Sequence, residues 1–395
     1  MYKVIHVISD KNIGGAGVLL LGLLRHTDRT RFEPLVVLPK GSLLAPRVRA
    51  LGVRCFALSR GGDKTLSPTA LWPLFRLFWQ EKPDIIHTNA SLSARLAALP
   101  LRAVRIDTKH CCFAPTARQK SLLARLCFRA FEAVSGVFYI ATAEAVRKNL
   151  TQRGSACDRL AVIPGGAERP RVLDSKQKAA LRAALGIPEG AFVVGLCARV
   201  ERGKGHEAFL AAARLLRQEK SLFFLAVGGG TLLERLRAAA SDLPNVKFLG
   251  FREDVGDVLN LFDLSLNCSD LSETSPLALS ESMSLGKPIV VTGVGGNADM
   301  ARGCGLVVPP RDAHALAAAI LRLRSDRALY ATLSAAATRR YETHYSATHM
   351  TQKIEALYLA LSESRNKANP HAAATRISPR PKCIYKISKN FRVEK

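Results

Sequence analysis

Short apolar runs alternate with helix-length amphipathic segments along the first part of this chain, and that alternation limits the fold more than any other feature. Six runs there have the length and composition of β-strands, at residues 2–8, 32–38, 53–58, 85–87, 103–108 and 136–141. Strands separated by helical segments are typical of βαβ units, because parallel strands cannot be joined by a tight turn. The first part of the chain therefore predicts a parallel sheet covered by helices.

The alternation stops around residues 169–174, near Pro170, and then begins again. Six further strands are predicted, at residues 192–198, 222–227, 246–249, 264–267, 288–292 and 305–308. The sequence thus predicts an α/β protein with two doubly wound domains, residues 1–170 and 171–345. A closing helix at 346–363 is expected to pack against the first domain, and a basic tail at 364–395 is expected to be disordered.

Charge is distributed unevenly along the chain. The 58 Lys and Arg exceed the 32 Asp and Glu by a net charge of +26. Residues 1–170 carry 26 basic and 11 acidic residues (+15), residues 171–364 carry 23 and 20 (+3), and residues 365–395 carry 9 and 1 (+8). Such a surplus favours anionic partners, for example nucleic acid, a phospholipid surface or phosphorylated substrates.

Several kinds of protein are excluded by composition. No apolar run approaches the roughly 20 residues of a membrane span. The first ten residues lack the basic segment and apolar core of a secretion signal, so we expect a cytoplasmic protein. The nine cysteines include no CxxC pair and no Cys/His group at zinc-finger spacing, so no metal site is predicted.

A short helix is predicted at residues 276–285, with Ser275 as its N-cap and Pro276 as its first residue. One glutamate, Glu281, lies within this helix, and another, Glu273, lies just before it. Glu281 is the only charged residue of that helix, so we expect a buried carboxylate that needs a partner such as a ligand hydroxyl. Glu273 precedes free backbone N–H groups that suit an anion or a hydroxyl. The alternative is a structural carboxylate at Glu281 and a solvated loop residue at Glu273.

Arg199 and Lys204 follow a predicted strand, and a helix begins shortly after them. Gly203 and Gly205, in the same loop, would let the backbone approach a ligand closely. Two cations, glycines and a helix N-terminus after a strand suit a diphosphate, although the Walker pattern GxxxxGK[ST] is absent. The alternative is a solvated basic turn.

Gly14, Gly15 and Gly17 form a similar glycine-rich turn after the first strand, without a strict GxGxxG pattern. Comparable turns at residues 228–230 and 293–296 follow strands of the second domain, at the sheet edge where open α/β sheets bind ligands. His110 follows the fifth strand near the same kind of edge. A neutral imidazole there could orient a sugar hydroxyl or donate to a carbonyl, and the alternative is a structural histidine.

In order and spacing, these residues resemble the retaining glycosyltransferases of the GT-B fold, glycosyltransferase family 4, over about residues 1–360. The most specific element is Glu273 and Glu281, separated by seven residues, in a Ser-rich stretch that ends at Gly286-Lys287-Pro288. The resemblance implies two Rossmann-like domains facing across a cleft. The first would bind the acceptor, and the second would bind a nucleotide-diphosphate sugar.

The resemblance also implies a role for each candidate residue. Arg199 and Lys204 would bind the diphosphate in place of a metal ion, and Glu281 would hold the ribose hydroxyls. The donor sugar would be held by Glu273 and the backbone of Thr274, Ser275, Pro276 and Leu277. Phe251 and Arg252 would contact the base, and Gly15 and Gly17 would approach the phosphates. His110 would lie near the reacting sugar.

Three positions depart from the usual family pattern. Thr274-Ser275-Pro276 stands where many members have Gly-Phe-Gly, Asp299 replaces a glutamate, and Asn89 replaces the second histidine of a His-x-His motif. No paired acid and nucleophile at glycosidase separation is evident, so the chemistry of glycoside hydrolases does not transfer.

The function that the resemblance implies is metal-independent, cofactor-free transfer from a UDP- or GDP-linked sugar to a lipid-linked or cell-envelope glycan, such as lipopolysaccharide. The basic first domain favours an anionic acceptor or membrane surface, and so a peripheral place on the cytoplasmic face of the inner or plasma membrane. Residues 71–79, with Trp72 and Trp79, are either an interfacial helix or an ordinary core helix.

Two other functions stay open. A nucleotide-sugar 2-epimerase shares the two-domain architecture, but it needs acid and base groups that the sequence does not clearly supply. A nucleic-acid-binding protein is suggested by charge alone, without a zinc knuckle, an RNP-type aromatic motif or a helix-turn-helix pattern.

Overall fold

The structure, a computed structural model, describes residues 1–59, 65–112 and 115–367. These residues form two compact units. The first contains Met1–Pro164 and the helix Ala347–Lys367, and the second contains Gly165–Ser346. Residues 364–367 of the predicted tail are the last residues of this helix, and residues 368–395 lie outside the described residues. No helix in the described part of the chain is long and apolar enough to cross a membrane.

The division at Pro164 corrects the boundary expected between residues 170 and 171. The segment that follows Pro164 is hydrogen-bonded into the second unit. The Ala167 N–H donates to the Tyr345 carbonyl (2.9 Å), and Tyr341 Oη donates to the Ala167 carbonyl (3.0 Å). Pro170 therefore interrupts the secondary-structure pattern at a point where the chain already belongs to the second unit.

Every pair of neighbouring strands in the described part of the chain is parallel. The strands are β1 (Tyr2–Ile8), β2 (Phe32–Pro39), β3 (Arg54–Leu58), β4 (Ile85–Asn89), β5 (Val104–Lys109), β6 (Val137–Ala141), β7 (Leu160–Val162), β8 (Phe192–Cys197), β9 (Leu222–Val227), β10 (Val246–Phe248), β11 (Leu264–Asn267), β12 (Ile289–Thr292) and β13 (Gly305–Val308). The strand β7 is not predicted from sequence, because three residues are too few to show a periodic pattern.

The α-helices lie mostly between consecutive strands, as βαβ units require. They are α1 (Gly15–His26), α2 (Leu44–Ala50), α3 (Pro68–Glu81), α4 (Leu92–Ala97), α5 (Ala117–Lys120), α6 (Leu122–Ser135), α7 (Glu144–Gln152), α8 (Ser175–Ala184), α9 (His206–Leu215), α10 (Leu233–Ala239), α11 (Val255–Leu259), α12 (Leu277–Ser284), α13 (Asn297–Ala301), α14 (Ala313–Ser325), α15 (Arg327–Arg340) and α16 (Ala347–Lys367). A 3₁₀ turn (Cys157–Arg159) and a π turn (Tyr341–Tyr345) complete the set.

The first unit is built on a seven-stranded sheet in the order β3-β2-β1-β4-β5-β6-β7. On one face, side chains of β1 and β4, including Val4 and Ile85, pack against Leu357 and Tyr358 of α16. The closing helix is therefore part of the core of the first unit.

The second unit is built on a six-stranded sheet in the order β10-β9-β8-β11-β12-β13. Phe209 of α9 and Ile320 of α14 pack in its core with side chains of β8, β9 and β11, including Phe224. Because all six strands run the same way, the loops after β8, β10 and β11 meet at one edge, where most of the predicted site residues lie.

Candidate functional site

Lys204 and Glu273 are brought together at this edge of the second sheet. Lys204 Nζ lies 2.6 Å from Glu273 Oε1, and both side chains are largely buried. Ser269 Oγ donates to the same carboxylate oxygen at 2.6 Å. The glutamate is therefore held by two donors and is not a solvated loop residue. Sequence reasoning missed Ser269, although its place directly after β11 could have indicated it.

The loop that carries Lys204 passes very close to the chain after β11. A Cβ atom at Gly205 would lie 1.8 Å from the Cys268 carbonyl oxygen, and φ of Gly205 is +76°. We expected this glycine to let a ligand approach the backbone, but the close neighbour is the protein itself. Only glycine permits this approach, which places Lys204 beside Glu273.

Arg199 lies just beyond the end of β8 and is exposed. Within the described ranges, no hydrogen bond or ion pair is formed by its guanidinium. Its charge is therefore available to an anionic ligand at the same edge that holds Lys204.

The helix α12 begins one residue later than predicted, at Leu277. Pro276 has ψ 114°, which keeps it outside the helix, and its carbonyl accepts from the Leu279 N–H (3.1 Å). Ser275 does not cap the helix: its Oγ accepts from the Gly165 N–H at 3.3 Å. Pro276, the residue at the N-cap, has no side chain that could cap the first N–H groups of α12, and these groups suit a polar ligand.

Glu281 lies in α12 and is partly buried, where the charge-poor helix predicted a mostly buried carboxylate. Desolvation by burial raises the pKa of its carboxyl to about 7. Among residues 1–59, 65–112 and 115–367, no side chain or backbone group forms a hydrogen bond with this carboxyl. The partner that the sequence led us to expect is therefore not supplied by the described chain, and a ligand hydroxyl would fit that need.

Phe251 and Arg252 follow β10 at the same sheet edge. Phe251 is 77% exposed, so its ring is accessible to a flat aromatic ligand such as a base. Arg252 is paired with Asp254 at 2.6 Å. Asp299, the shorter residue at a usual glutamate position, is paired with Arg302 at 2.6 Å.

In the first unit, His110 follows β5 and contacts the buried Asn89, the residue that replaces a second histidine. Nε2 of His110 lies 2.8 Å from Asn89 Oδ1. Burial lowers the pKa of His110 to about 4, so the imidazole is neutral near pH 7. A neutral ring held by an amide oxygen has a defined orientation.

The two glycines predicted to approach phosphates differ in their surroundings. A Cβ atom at Gly15 would have no heavy atom within 4 Å, so there is open space at this position. A Cβ atom at Gly17 would lie 2.9 Å from Leu44 Cδ1. Gly17 is therefore explained by the packing of α1 against α2.

A buried polar group lies beneath the edge that carries His110. His87 Nδ1 is 2.6 Å from Tyr358 Oη, and His87 Nε2 is 2.6 Å from Thr108 Oγ1. Burial lowers the pKa of His87 to about 3, and burial also lowers the pKa of the neighbouring His6. These bonds join α16 to the sheet, a link that sequence reasoning missed because its members are far apart in the chain.

The structure thus groups the predicted residues into two sets, one in each unit. The set in the second unit contains Arg199, Lys204, Phe251, Arg252, Glu273, Thr274, Ser275, Pro276, Leu277 and Glu281. The set in the first unit contains Gly15, Gly17 and His110. Within the described residues, no group of three or more His, Cys, Asp or Glu side chains is placed to hold a metal ion.

Family profiles match most of both units. Residues 13–169 match the profile described as Glycosyltransferase Family 4, and residues 191–326 match the profile described as Glycosyl transferases group 1. Among curated relatives, the chain is 26% identical over 281 residues to the UDP-Gal:alpha-D-GlcNAc-diphosphoundecaprenol alpha-1,3-galactosyltransferase of Escherichia coli. That alignment covers 66% of this chain and 71% of the relative.

Solved structures share the fold at low sequence identity. A glycosyltransferase from Rickettsia africae superposes with a TM-score of 0.79 at 18% identity, covering 91% of this chain and 98% of that one. Anabaena Alr3699/HepE, solved in complex with UDP and glucose, superposes with a TM-score of 0.75 at 21% identity, covering 91% and 100%. The two parallel sheets are those of the GT-B fold.

Proposed function

The chain belongs to glycosyltransferase family 4 and is a glycosyltransferase, and we propose that it transfers a sugar, with retention, from a UDP-linked donor to a lipid-linked or cell-envelope glycan. One observation carries this proposal: the contact between Lys204 and Glu273, at the sheet edge that also carries the exposed Arg199 and the start of α12. This arrangement combines donors for a diphosphate with an oriented carboxylate for a sugar hydroxyl.

The reaction makes a demand that these residues can meet. Breaking the bond between the anomeric carbon and the diphosphate leaves negative charge on the departing phosphate. Arg199, Lys204 and the first N–H groups of α12 would stabilise that charge without a metal ion. Lys204 already touches Glu273, so a bound diphosphate would share this ammonium group with the carboxylate that orients the sugar.

Retention follows from attack on the same face of the sugar that the diphosphate leaves. The acceptor hydroxyl oxygen forms the new bond to the anomeric carbon, and its proton passes to the departing phosphate oxygen. Glu281 would hold the ribose hydroxyls, Phe251 and Arg252 would contact the base, and Gly15 would leave room for the phosphates. His110 would contribute a neutral imidazole near the reacting sugar.

The acceptor is proposed from charge and from the relatives. Residues 1–170 carry a net charge of +15, which favours an anionic acceptor or an anionic membrane. The E. coli relative is named for a diphosphoundecaprenol-linked acceptor and for UDP-Gal. We therefore place this chain on the cytoplasmic face of a membrane, in the synthesis of lipopolysaccharide or a related surface polysaccharide.

Donor binding is tested by thermal shift. UDP-sugars should raise the melting temperature more than GDP- or ADP-sugars, since a ligand that binds only the native state stabilises it. Glu281→Ala should weaken this stabilisation, and the exposed Glu189→Ala serves as the matched control. The absence of stabilisation by every nucleotide and nucleotide sugar would count against the proposal.

Catalysis is tested at the diphosphate cations. Lys204→Met should lower kcat by about 10²–10³-fold, the usual loss when a group that stabilises transition-state charge is removed. Arg202→Met, at an exposed position of the same loop, should leave kcat nearly unchanged. EDTA should not reduce activity; loss of activity with EDTA and its rescue by magnesium would refute metal independence.

Incubation of the enzyme with the donor but without acceptor should leave the donor sugar unchanged. Formation of an epimer would indicate a 2-epimerase.

A further inference from the structure

Helix α6 exposes large apolar side chains along one whole face. Leu122, Leu126 and Val134 are 72%, 56% and 77% exposed, and their spacing of four and eight residues places them in one row. Leu123, beside this row, is 73% exposed. Exposed apolar patches of this kind mark interaction surfaces on soluble folds.

The opposite face of α6 explains why the helix is folded against the sheet. The ring of Phe128 stacks on Tyr139 of β6 with centroids 6.3 Å apart. Glu132 is buried, and its carboxylate accepts from Ser155 Oγ and from the Ala156 N–H. The core contacts of α6 therefore use one face only. The exposed row of Leu122, Leu126 and Val134 is not needed to hold the helix in place.

Positive charge borders the exposed row. Four exposed cations lie along α5 and α6: Arg118, Lys120, Arg125 and Arg129. The only acidic residue between positions 111 and 135 is Glu132, which is buried. An apolar face flanked by cations, with no exposed acid, is complementary to an anionic lipid surface.

The helix α3 presents a second apolar group on the same side of the first sheet. The register places Ile5, Ile86 and Val137 in one row, so their side chains share a face. The residues of α3 pack beside Ile5 and Ile86, and those of α6 pack beside Val137.

On its outer side, α3 exposes Trp72 and Trp79, which are 68% and 62% exposed. Its buried positions, such as Leu74 and Phe78, show that α3 is at once a core helix and a helix with an exposed aromatic face. Tryptophan is favoured at the boundary between lipid and water.

Both helices begin at the edge of the sheet that carries His110. Each helix precedes a parallel strand, so it runs back from the carboxyl ends of the strands to their amino ends. Leu122 and Leu123, at the start of α6, therefore lie toward the same edge as His110. A membrane that contacts these leucines would present a lipid-linked molecule near that histidine.

We infer that the outer surface formed by α5, α6 and the two tryptophans of α3 docks the first unit on an anionic lipid bilayer. The exposed side chains of Leu122, Leu123, Leu126 and Val134 enter the boundary between headgroups and acyl chains. The cations of α5 and α6 contact lipid phosphates. The inference deepens the proposed function, from which it takes the lipid-linked nature of the acceptor. Donor binding concerns residues of the second unit and can be measured separately.

Vesicle binding of the full chain tests the inference. At about 0.15 M salt, the protein should sediment with vesicles containing phosphatidylglycerol and much less with pure phosphatidylcholine. The triple variant Leu122→Gln, Leu123→Gln, Leu126→Gln should bind at least about tenfold more weakly, because three inserted leucines are lost. Arg125→Glu with Arg129→Glu should remove most of the preference for phosphatidylglycerol.

Matched controls lie in the second unit. Leu215→Gln removes a leucine that is also exposed, and Arg235→Glu reverses an exposed arginine of α10. Neither should change vesicle binding. A separate variant, Trp72→Gln with Trp79→Gln, tests the surface without altering α6 and should weaken binding by a few-fold, on the order of three to ten.

Several outcomes would overturn the inference. Equal vesicle binding by the parent and the leucine variant would do so, and would place the contact elsewhere, for example in the basic residues 364–395. A parent dimer that becomes monomeric in the leucine variant, by light scattering, would show that a second copy covers this face. UDP-sugar should raise the melting temperature equally in the parent and in all variants. If it does not stabilise the parent, the proposed function is contradicted, whereas the result on vesicle binding is unaffected.

Discussion

The loop after β1 in the first unit and the loop after β8 in the second are both rich in glycine and both lie at the start of a helix. At Gly15 an added Cβ atom would have no neighbour within 4 Å, whereas at Gly205 it would lie 1.8 Å from the Cys268 carbonyl oxygen. The same local pattern thus leaves open space in one unit and accommodates the protein's own backbone in the other. A glycine cluster after a strand does not by itself say which of these it does.

The units also differ in the ionisable groups that burial keeps neutral. The first unit buries His6, His87 and His110 with lowered pKa values. In the second unit, the pKa of Glu281 is raised to about 7 and that of His206 is lowered to about 4. Because the first unit holds more histidines with lowered pKa values than the second, the two units should differ in their response to acid.

The largest effect should come from the two glycine loops. Gly205→Ala should lower the free energy of unfolding by about 4 kcal/mol or more, because a backbone carbonyl cannot move aside and φ is positive. Gly15→Ala should change it by less than about 0.5 kcal/mol or raise it, since alanine favours helix and has room. Urea denaturation measures both. Equal losses would refute the distinction between the loops.

Acid should destabilise the first unit more than the second. A histidine whose pKa is lowered by folding contributes stability above its unfolded pKa of about 6.5, and this is lost as pH falls toward 3 or 4. Between pH 6.5 and 5, each such histidine should cost up to about 2 kcal/mol. The first unit has four such histidines, His6, His87, His110 and His349, and the second has His206.

Hydrogen exchange, corrected for its intrinsic pH dependence, can follow the strands of each sheet separately. Protection should fall earlier in β1, β4 and β5 than in β8 and β11 as the pH is lowered. Earlier loss in the second sheet would contradict the assignment.

Glu281→Gln should separate stability from donor binding. The folded pKa of about 7 exceeds the unfolded value, so the associated stability is present below about pH 4.5 and is lost as pH rises through 7. The glutamine variant should therefore be more stable than the parent by about 1–3 kcal/mol at pH 8 and nearly equal at pH 4. It should also gain less from UDP-sugar in thermal shift. A variant less stable than the parent at pH 8 would be evidence of an unrecognised partner for the carboxylate.

Tyr358→Phe should give the smallest effect. It removes the bond to His87 Nδ1 (2.6 Å) and leaves a buried nitrogen unsatisfied, which costs about 1–2 kcal/mol. Tyr330→Phe in the second unit removes a bond to the Asp263 carbonyl (2.9 Å) at a less buried position and is the matched comparison. If Tyr358→Phe lowers the free energy of unfolding by no more than Tyr330→Phe does, the bond from α16 to the sheet contributes no more to stability than the bond at the less buried position.

Much of the fold could be predicted because its elements are local in sequence. Apolar runs of strand length marked most strands, and the Ser-rich helix ended where Gly286 and Pro288 indicated. The error at Ser275 had a physical cause: a good capping residue was present, but its hydroxyl accepts from the Gly165 N–H instead. Local propensity cannot anticipate a competing donor from 110 residues away.

The candidate site was predicted in part for a similar reason. Arg199, Lys204 and Glu273 could be placed together because the carboxyl ends of parallel strands share an edge. Two other contacts could not be predicted, because they depend on the directions of side chains at that kind of edge. They are the bond from Ser269 to Glu273 and the contact between Asn89 and His110.

The sequence by itself determined two α/β units, the edges at which polar residues gather and the uneven charge, because periodicity and composition are properties of the chain. Only the tertiary structure decided which glycines face open space and which face backbone, that Glu281 lacks a partner among the described residues, and that α6 turns its leucines outward. Those results depend on which atoms lie within a few ångströms of each other, and distances of that kind exist only after the chain has folded.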